Sequence, residues 1–382
     1  VKMFFILFGV LAFCQAVCGQ SVSKVWVADR KDGTYMNPVL HADYSDPDVC
    51  AVGDDFYMTA SSFNCTPGLP ILHSKDLVNW KLVNYALKVI EPEEFYNKPQ
   101  HGKGVWAPSI RYHNGEFYIY WGDPDFGIFM VKAKDPQGEW DKPVLVKAGK
   151  GMIDPTPLWD EDGKAYLVHA WAGSRAAFNS VVTVCEMNPE GTKVISEPVL
   201  VFDGNDGVNH TVEGPKFYKR NGYYYILAPA GGVVTGWQLA LRSKNVYGPY
   251  EVKRVMAQGS TDINGPHQGA WVETNSGESW FVHFQDKAMY GRVIHLNPVK
   301  WTEGWPVIGE DKDGDGCGEP VRRYRKPNVG KTYPVETPAE SDEFNSRRLG
   351  LQWEWHANYQ DAFGFTSDLG YMRIYGHVLS ED

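Results

Sequence analysis

A hairpin unit that recurs five times along the chain constrains its fold more than any other feature of the sequence. The clearest copy lies at residues 211–230, where Glu213 and a Gly-Pro pair precede a strand-like run, an Asn221-Gly222 turn and a tyrosine-rich strand. Asn-Gly between two strand-like runs is the strongest short-range signal for a β-hairpin, because both turn residues must tolerate positive φ. The unit therefore predicts two antiparallel strands joined by a tight turn.

The other four copies follow the same pattern, and in each of the five a glycine shortly precedes an aromatic residue. The other copies begin at Ser45, Trp106, Asp154 and His267. The aromatic residues are Tyr57, Tyr118, Tyr166, Tyr225 and Trp280. A nearly regular period made of short strands is typical of a β-propeller, in which each repeat forms one blade. Five copies predict an all-β fold with five blades.

Acidic side chains recur near the start of the repeat. The equivalent positions, at almost the same distance before each aromatic residue, are Asp46, Trp106, Asp154, Glu213 and Gln268. The first strand of each propeller blade lines the central channel, so equivalent positions face one another across the axis. Each acid alone would be explained by a turn, since Asp-Pro pairs initiate turns, but three at one repeat position would not. Converging carboxylates shift each other's pKa, so the pattern predicts a site for acid–base catalysis.

Charge and hydropathy limit the partners of the chain. The formal net charge of −10 argues against nucleic acid and against an anionic membrane surface, because both require a basic face. Beyond the first residues there is no long apolar run, so the sequence predicts no transmembrane segment.

Residues 1–19 have the features of a secretory signal peptide. Lys2 supplies the positive charge, residues 3–13 are apolar, and small residues precede Gln20. We therefore expect an exported protein, periplasmic or extracellular. A lipoprotein signal, with Cys14 or Cys18 as the lipidated residue at the cell surface, remains a second interpretation.

Three further segments are predicted after the signal peptide. Residues 37–320 form the propeller, and the proline-containing stretch 321–340 forms a linker. Residues 341–382 are too few for a complete β-sandwich and are interpreted as the beginning of a truncated C-terminal one.

The acidic run 311–320 lacks the glutamate that completes an EF-hand loop, since Arg322 stands there, and is predicted to be a solvated turn.

These motifs resemble glycoside hydrolase family 43 over about residues 37–320. The resemblance is carried, in order, by NPVLHADYSDPDV, GVWAPSIRYHNGEFYIYW, GMIDPTPLWDEDGKAYLV, TVEGPKFYKRNGYYYILAP, LRSKNVYGPYE and GRVIHLNPVKWTEGWPVIG. It implies a five-bladed propeller that acts as an inverting exo-glycosidase on plant cell-wall polysaccharides or oligosaccharides, releasing L-arabinofuranose, D-xylose or both. It implies no required cofactor, although some relatives hold a structural calcium ion in the channel near the position of His267.

The resemblance also assigns roles to residues of this sequence. It implies that Asp46 is the general base, Glu213 the general acid, and Asp154 the residue that tunes and orients its partner. The positions that line the sugar pocket correspond to Phe63, Trp106, His267 and Arg292. His41 and Asp43 are neighbours without an assigned role.

Two other functions remain open on the same fold. One is an endo-acting arabinanase, and the other is a sugar-binding propeller without turnover. The long segment between the first two blades, residues 68–104, can wall off one end of the channel and so favours exo action. The sequence does not choose between arabinose and xylose, and it does not indicate an oligomeric state.

Overall fold

Five four-stranded antiparallel sheets make up most of the chain in the computed structural model, which describes residues 22–361, 363–367 and 369–376. In each sheet the strands are adjacent in the order in which they follow along the chain. This is the up-and-down order of propeller blades, and the predicted five-bladed β-propeller is confirmed.

The strands are named in chain order. A short strand, β1 (Thr34–Met36), precedes the blades. Blade one contains β2 (Asp48–Val52), β3 (Asp55–Thr59), β4 (Gly68–Ser74) and β5 (Trp80–Leu87). Blade two contains β6 (Trp106–His113), β7 (Glu116–Asp123), β8 (Gly127–Ala133) and β9 (Val144–Ala148). Blade three contains β10 (Met152–Trp159), β11 (Ala165–Trp171), β12 (Val181–Met187) and β13 (Val199–Asp203). Blade four contains β14 (Lys216–Arg220), β15 (Tyr223–Ala230), β16 (Trp237–Ser243) and β17 (Glu251–Met256). Blade five contains β18 (His267–Glu273), β19 (Ser279–Asp286), β20 (Arg292–Thr302) and β21 (Trp305–Ile308).

The repeated hairpin is the pair formed by the first and second strands of each blade. The five aromatic residues that define the repeat all lie on second strands, as predicted. In blade four, Asn221 and Gly222 have φ values of 50° and 74° and join β14 to β15. Positive φ at both central residues matches the right-handed twist of the flanking strands, which explains the Asn-Gly pair.

Apolar side chains between neighbouring blades form the core. The largest cluster joins blades one and five, where Met58 and Trp80 belong to the same buried group as Trp280 and Phe284. The segment 37–40 runs beside β20 at this closure, where the Val39 N–H donates to the Ile294 carbonyl and the Ile294 N–H donates back to the carbonyl of the next residue, Leu40. Closure of the ring therefore depends on pairing between the segment that precedes blade one and the last blade.

The regions outside the blades contain few regular elements. Strand β22 (Arg323–Arg325) lies within the segment predicted as a linker and pairs with β1. Near the C-terminus, β23 (Gly364–Thr366) pairs with β24 (Met372–Ile374), and the β-sandwich expected there stays a prediction.

The short helices are α1 (Glu93–Tyr96), α2 (Gly173–Ala176), α3 (Gly232–Thr235) and a 3-10 turn (Ala288–Tyr290). In the described ranges, no helix has the length and apolar character needed to cross a membrane. The predicted signal peptide lies outside the described residues.

Candidate active site

The backbone takes an unusual conformation where each blade begins at the central channel. One residue per blade has positive φ there: Asp46 at 56°, Ala107 at 28°, Asp154 at 57°, Gly214 at 57° and Gln268 at 35°. Residues other than glycine seldom adopt this region, and such conformations cluster at functional sites. In blades two, three and five, a register shift interrupts the pairing of the first and second strands at the same point. Bulges of this kind re-aim side chains, here at the start of the innermost strands.

Asp46 is buried and surrounded by donors from blades one and five. Its Oδ2 accepts hydrogen bonds from Ser45 Oγ at 2.8 Å and from Ser61 Oγ at 2.6 Å. Its Oδ1 accepts one from Arg292 Nη1 at 3.0 Å, which makes an ion pair. The guanidinium of Arg292 lies 4.7 Å from the centre of the Phe284 ring, which fixes its position. These three donors, one of which is the Arg292 cation, hold both oxygens of the Asp46 carboxyl group.

Asp154 is also buried, but its hydrogen-bond partners are neutral. Oδ2 accepts hydrogen bonds from the backbone N–H of Gly214 at 2.7 Å and from Gln268 Nε2 at 3.4 Å. Burial, followed by the negative charges of Glu213 and then Asp46, raises the pKa of Asp154 well above its ordinary value. The three acids predicted from the repeat are therefore close enough to interact electrostatically.

Glu213 is the most accessible of the three acids, with 26% of its side chain exposed. Its Oε1 lies 2.9 Å from Nε2 of His267, which is completely buried and packs against Phe284. The other ring nitrogen of His267, Nδ1, has no hydrogen-bond partner among the described residues. A buried imidazole with one bonded nitrogen holds the Glu213 carboxyl in place from the adjacent blade.

A second layer of charged side chains below the acids was missed by the sequence analysis. Arg111 Nη1 donates to Asp48 Oδ2 at 2.5 Å, and the backbone N–H of Ile110 donates to the same oxygen at 2.8 Å. Lys216 Nζ donates to the carbonyl oxygen of Pro108 at 2.8 Å, and its side chain is completely buried. The sequence carried no signal for them, since Asp46 has positive φ and lies outside β2, so strand alternation does not relate it to Asp48.

Phe63 and Trp106 lie half-buried on blades one and two. Phe63 exchanges backbone hydrogen bonds with Val105, at 3.0 and 2.9 Å. Gly104 has no room for a side chain, because a Cβ would lie 2.4 Å from the Phe63 carbonyl oxygen. Trp106 Nε1 donates to the Gly102 carbonyl at 2.7 Å, so the two rings are carried by one cross-linked wall.

The two neighbours of the site without an assigned role differ in their contacts. Asp43 Oδ1 accepts a hydrogen bond from the Arg292 backbone N–H at 2.9 Å, which ties it to the Asp46 side of the site. The His41 ring lies between Trp26, at 5.2 Å, and Tyr290, at 5.1 Å. Of the residues that the resemblance assigned to the pocket, the structure thus brings His267 to Glu213 and Arg292 to Asp46.

Among the described residues, His267 does not belong to a group of acidic, histidine or cysteine side chains close enough to share an ion. Calcium takes six to eight oxygen ligands. Across the described ranges, the group of acidic, histidine or cysteine side chains close enough to share an ion consists of Asp311, Asp313 and Asp315. These lie on an exposed turn at 311–315, where Asp311 accepts hydrogen bonds from backbone N–H groups of its own loop. A calcium ion in the channel stays a prediction.

Comparison with known proteins gives the site its context. The chain is 42% identical to a putative beta-xylosidase of Xylanibacter ruminicola over 92% of its own length and 64% of that protein. It is 34% identical to a non-reducing end alpha-L-arabinofuranosidase of Bacteroides ovatus, over 93% of this chain and 68% of that one. The crystal structure of a xylan beta-1,4-xylosidase from Bacillus halodurans superposes with a TM-score of 0.78 at 27% identity, over 90% of this chain and 69% of that chain.

These similarities extend through the propeller and beyond it. The chain spans about two thirds of the length of the curated relatives that it matches, 64% and 65% for two of them. The family model of Glycosyl hydrolases family 43 matches residues 35–306. This range includes all three acids and the residues that contact them. The chain belongs to glycosyl hydrolases family 43.

Proposed function

We propose that this protein is an inverting, exo-acting glycoside hydrolase that releases a pentose, L-arabinofuranose or D-xylose, from the non-reducing end of plant cell-wall polysaccharides or oligosaccharides. The observation that carries the proposal is the different environment of two carboxyl groups on blades one and four. Asp46 is held by Arg292 and two hydroxyls, whereas Glu213 is partly exposed and held by His267. The names of the two curated relatives support the pentose.

The roles of the two carboxyl groups follow from their neighbours. Asp46, as a carboxylate, takes a proton from a water molecule while the water oxygen forms a bond to the anomeric carbon of the sugar. The bond from that carbon to the leaving oxygen breaks, and Glu213 gives its proton to this oxygen. Water attacks the face opposite the leaving group, so the configuration inverts. Such a pair needs roughly 6.5–9.5 Å between carboxyl groups, which acids on different blades can provide.

Asp154 acts on the pair without exchanging protons with substrate in this proposal. Its oxygen bonds the backbone N–H of Gly214, the residue that follows Glu213, and so positions the start of blade four. Burial and then the negative charge of Glu213 raise the pKa of Asp154, so the two carboxyl groups interact electrostatically.

Exo action is supported by the wall between blades one and two. The segment that carries α1 is held against blade two by Tyr96, whose hydroxyl donates to Asp123 Oδ2 at 2.5 Å. Tyr96 is completely buried. A fixed wall on this side turns an open cleft into a pocket, and a pocket accepts a chain end.

The deciding experiment compares hydrolysis of 4-nitrophenyl α-L-arabinofuranoside with that of 4-nitrophenyl β-D-xyloside by the full chain. Proton NMR of the first product should show the anomer opposite to that of the substrate. We expect activity in the presence of EDTA, because the proposed reaction needs no cofactor. Retention of configuration would contradict the assigned mechanism. Internal cleavage of linear arabinan without monosaccharide would indicate the endo-acting enzyme, and sugar binding without turnover the binding protein.

We also propose that the protein is exported by the signal at residues 1–19. The charged and apolar halves of that segment support this. Intact mass and fractionation of the expressed protein test it. Cleavage before Gln20 with a soluble product supports simple secretion, and a lipid-sized mass increase that is lost in Cys18→Ala or Cys14→Ala supports an anchor.

A further inference from the structure

Lys216 has an environment that its sequence position does not explain. It lies on β14, three positions after Glu213, and its side chain is completely buried. Lysine is almost never fully buried unless its charge is compensated, because an unpaired buried ammonium is costly. Its hydrogen bond to the Pro108 carbonyl at 2.8 Å supplies a neutral acceptor and no opposite charge.

Charged groups from blades one, two and three lie near enough to the Lys216 ammonium to act on it electrostatically. The negative charges of Asp48, Asp154 and Asp46 favour it, and the positive charge of Arg111 opposes it. Burial lowers the pKa of Lys216 from its ordinary value, ahead of all these charges. Lys216 is therefore a buried charge within the electrostatic field of the carboxylates of the proposed active site.

Two of the three aspartates already have a guanidinium of their own. Asp48 pairs with Arg111 at 2.5 Å, and Asp46 pairs with Arg292 at 3.0 Å. The hydrogen-bond donors to Asp154 are the Gly214 N–H and the Gln268 amide, and both are neutral.

We propose that Lys216 is a positioning residue for the proposed reaction, in which its ammonium is the counter-charge of Asp154. Through Asp154, whose Oδ2 accepts a hydrogen bond from the backbone N–H next to Glu213, it acts on the two reacting carboxyl groups. This inference rests on the proposed function and adds to it a buried residue that the sugar does not touch.

The test is the pH dependence of kcat for Lys216→Met, measured on an aryl pentoside that the natural protein hydrolyses. Loss of a nearby positive charge makes the carboxyl groups easier to protonate, so both limbs of the profile should move to higher pH, by about one unit. KM should change less than twofold, because the completely buried Lys216 side chain cannot contact the sugar. Lys216→Arg, which keeps the charge, should leave the limbs where they are.

Lys219→Met is the matched control. Lys219 is on the same strand, but its ammonium pairs with Asp160 away from the three acids. Its removal should leave both limbs unchanged. A Lys216→Met profile that matches the natural one, with or without a lower melting temperature, would show that Lys216 only fills space and would overturn the inference.

The Asp154→Asn background identifies the partner and keeps the test valid if Lys216→Met alone does not fold. With Asp154 neutral, adding Lys216→Met should restore a folded protein and produce no further shift of the limbs. A full shift in this background would overturn the pairing with Asp154. If only the Lys216 variants behave differently from this expectation, the proposed function is unaffected. A Glu213→Gln variant with full activity on a natural glycoside would instead contradict the proposed function itself.

Discussion

Asp46 and Glu213 carry the same functional group and differ in what surrounds it. Asp46 is 4% exposed and bonded by Ser45, Ser61 and Arg292. Glu213 is bonded through one oxygen to His267 and is partly open to the channel. A base needs to keep a negative charge until it takes a proton from water, and an acid needs access to the leaving oxygen. The two environments meet these different requirements.

Removing each carboxyl group separately should affect substrates differently. Glu213→Gln lacks the proton donor, so glycosides with poor leaving groups should lose the most activity, and aryl glycosides should be partly spared. Asp46→Asn lacks the base, and leaving-group quality cannot compensate, so both classes should lose about 10²- to 10⁴-fold in kcat. The measurement is the ratio of aryl to natural glycoside activity in each variant. Equal proportional losses in both variants would leave the assigned roles without support.

Asp154→Asn should lower activity and change how stability depends on pH. Because the pKa of Asp154 is raised in the folded protein, the folded state binds more protons than the unfolded state above the ordinary aspartate pKa. Stability therefore falls as the pH rises through this range, and an amide that cannot ionise removes the fall. We expect kcat to drop about 10²-fold or more. Loss of the proposed counter-charge of Lys216 lowers the stability of the variant by a constant amount, but its melting temperature relative to the natural protein should rise with pH above the ordinary aspartate pKa. A difference in melting temperature that does not change with pH would contradict the titration of Asp154 in this range.

The sequence could predict the three acids because they share one position of a visible repeat. Lys216, Asp48 and Arg111 have no such marker: each lies on an innermost strand whose pattern allows either a polar or an apolar residue. Their placement depends on which faces of three blades meet below the channel, and that is decided by the tertiary structure. The same applies to Ser61, which reaches Asp46 from the loop between β3 and β4.

At the scale of elements, the blades are linked to one another at the depth of the site. Ser109 Oγ donates to the Pro155 carbonyl at 2.7 Å, and Thr156 Oγ1 donates to the Pro215 carbonyl at 2.8 Å. The N–H of Ala107 donates to Ser61 Oγ at 2.7 Å. These bonds join blades one to four in sequence, so acids on separate blades keep a fixed spacing.

The wall segment that carries α1 has a titratable anchor. Burial raises the pKa of Asp123 to about 6. Between about pH 4, the ordinary aspartate value, and pH 6, the folded state binds more protons than the unfolded state, so stability falls as pH rises. Asp123→Asn removes this dependence, and its amide oxygen can still accept from Tyr96.

We expect the stability of Asp123→Asn relative to the natural protein to rise by about 1–2 kcal/mol between pH 4 and pH 7. The variant loses the hydrogen bond from the Asp125 N–H at all pH values, so its free energy of unfolding is lowered by an amount that does not depend on pH. Denaturant unfolding across this pH range measures the trend. Glu139→Gln, at a side chain that is 83% exposed, is the control. Its free energy of unfolding should vary with pH as that of the natural protein does. If the free energies of unfolding of Asp123→Asn and the natural protein differ by the same amount at every pH, Asp123 does not titrate in this range.

At the scale of the whole molecule, residues 351–360 are part of the propeller's wall. Trp355 exchanges backbone hydrogen bonds with Thr66, at 2.8 and 2.7 Å, on the loop that carries Phe63. Asn358 is 3% exposed and bonds both the N–H and the carbonyl of Ile90. These contacts join the C-terminal part of the chain to the first blade. No repeat marks them, and the sequence predicted only the beginning of a second module there.

The last prediction tests whether this segment supports the pocket. Asn358→Ala would leave the Ile90 N–H and carbonyl buried without partners, at a cost of about 2–3 kcal/mol. Because the segment also holds the loop of Phe63, KM for the pentoside should rise more than kcat falls. Gln360→Ala, which removes one exposed hydrogen bond to the Asn97 carbonyl, is the matched control and should change neither. Unfolding by denaturant and initial rates on the same preparations supply both readouts. If Asn358→Ala loses stability but keeps its KM, the segment stabilises the fold without shaping the pocket. If it keeps both, the segment is a neighbour of the propeller and not a part of its wall.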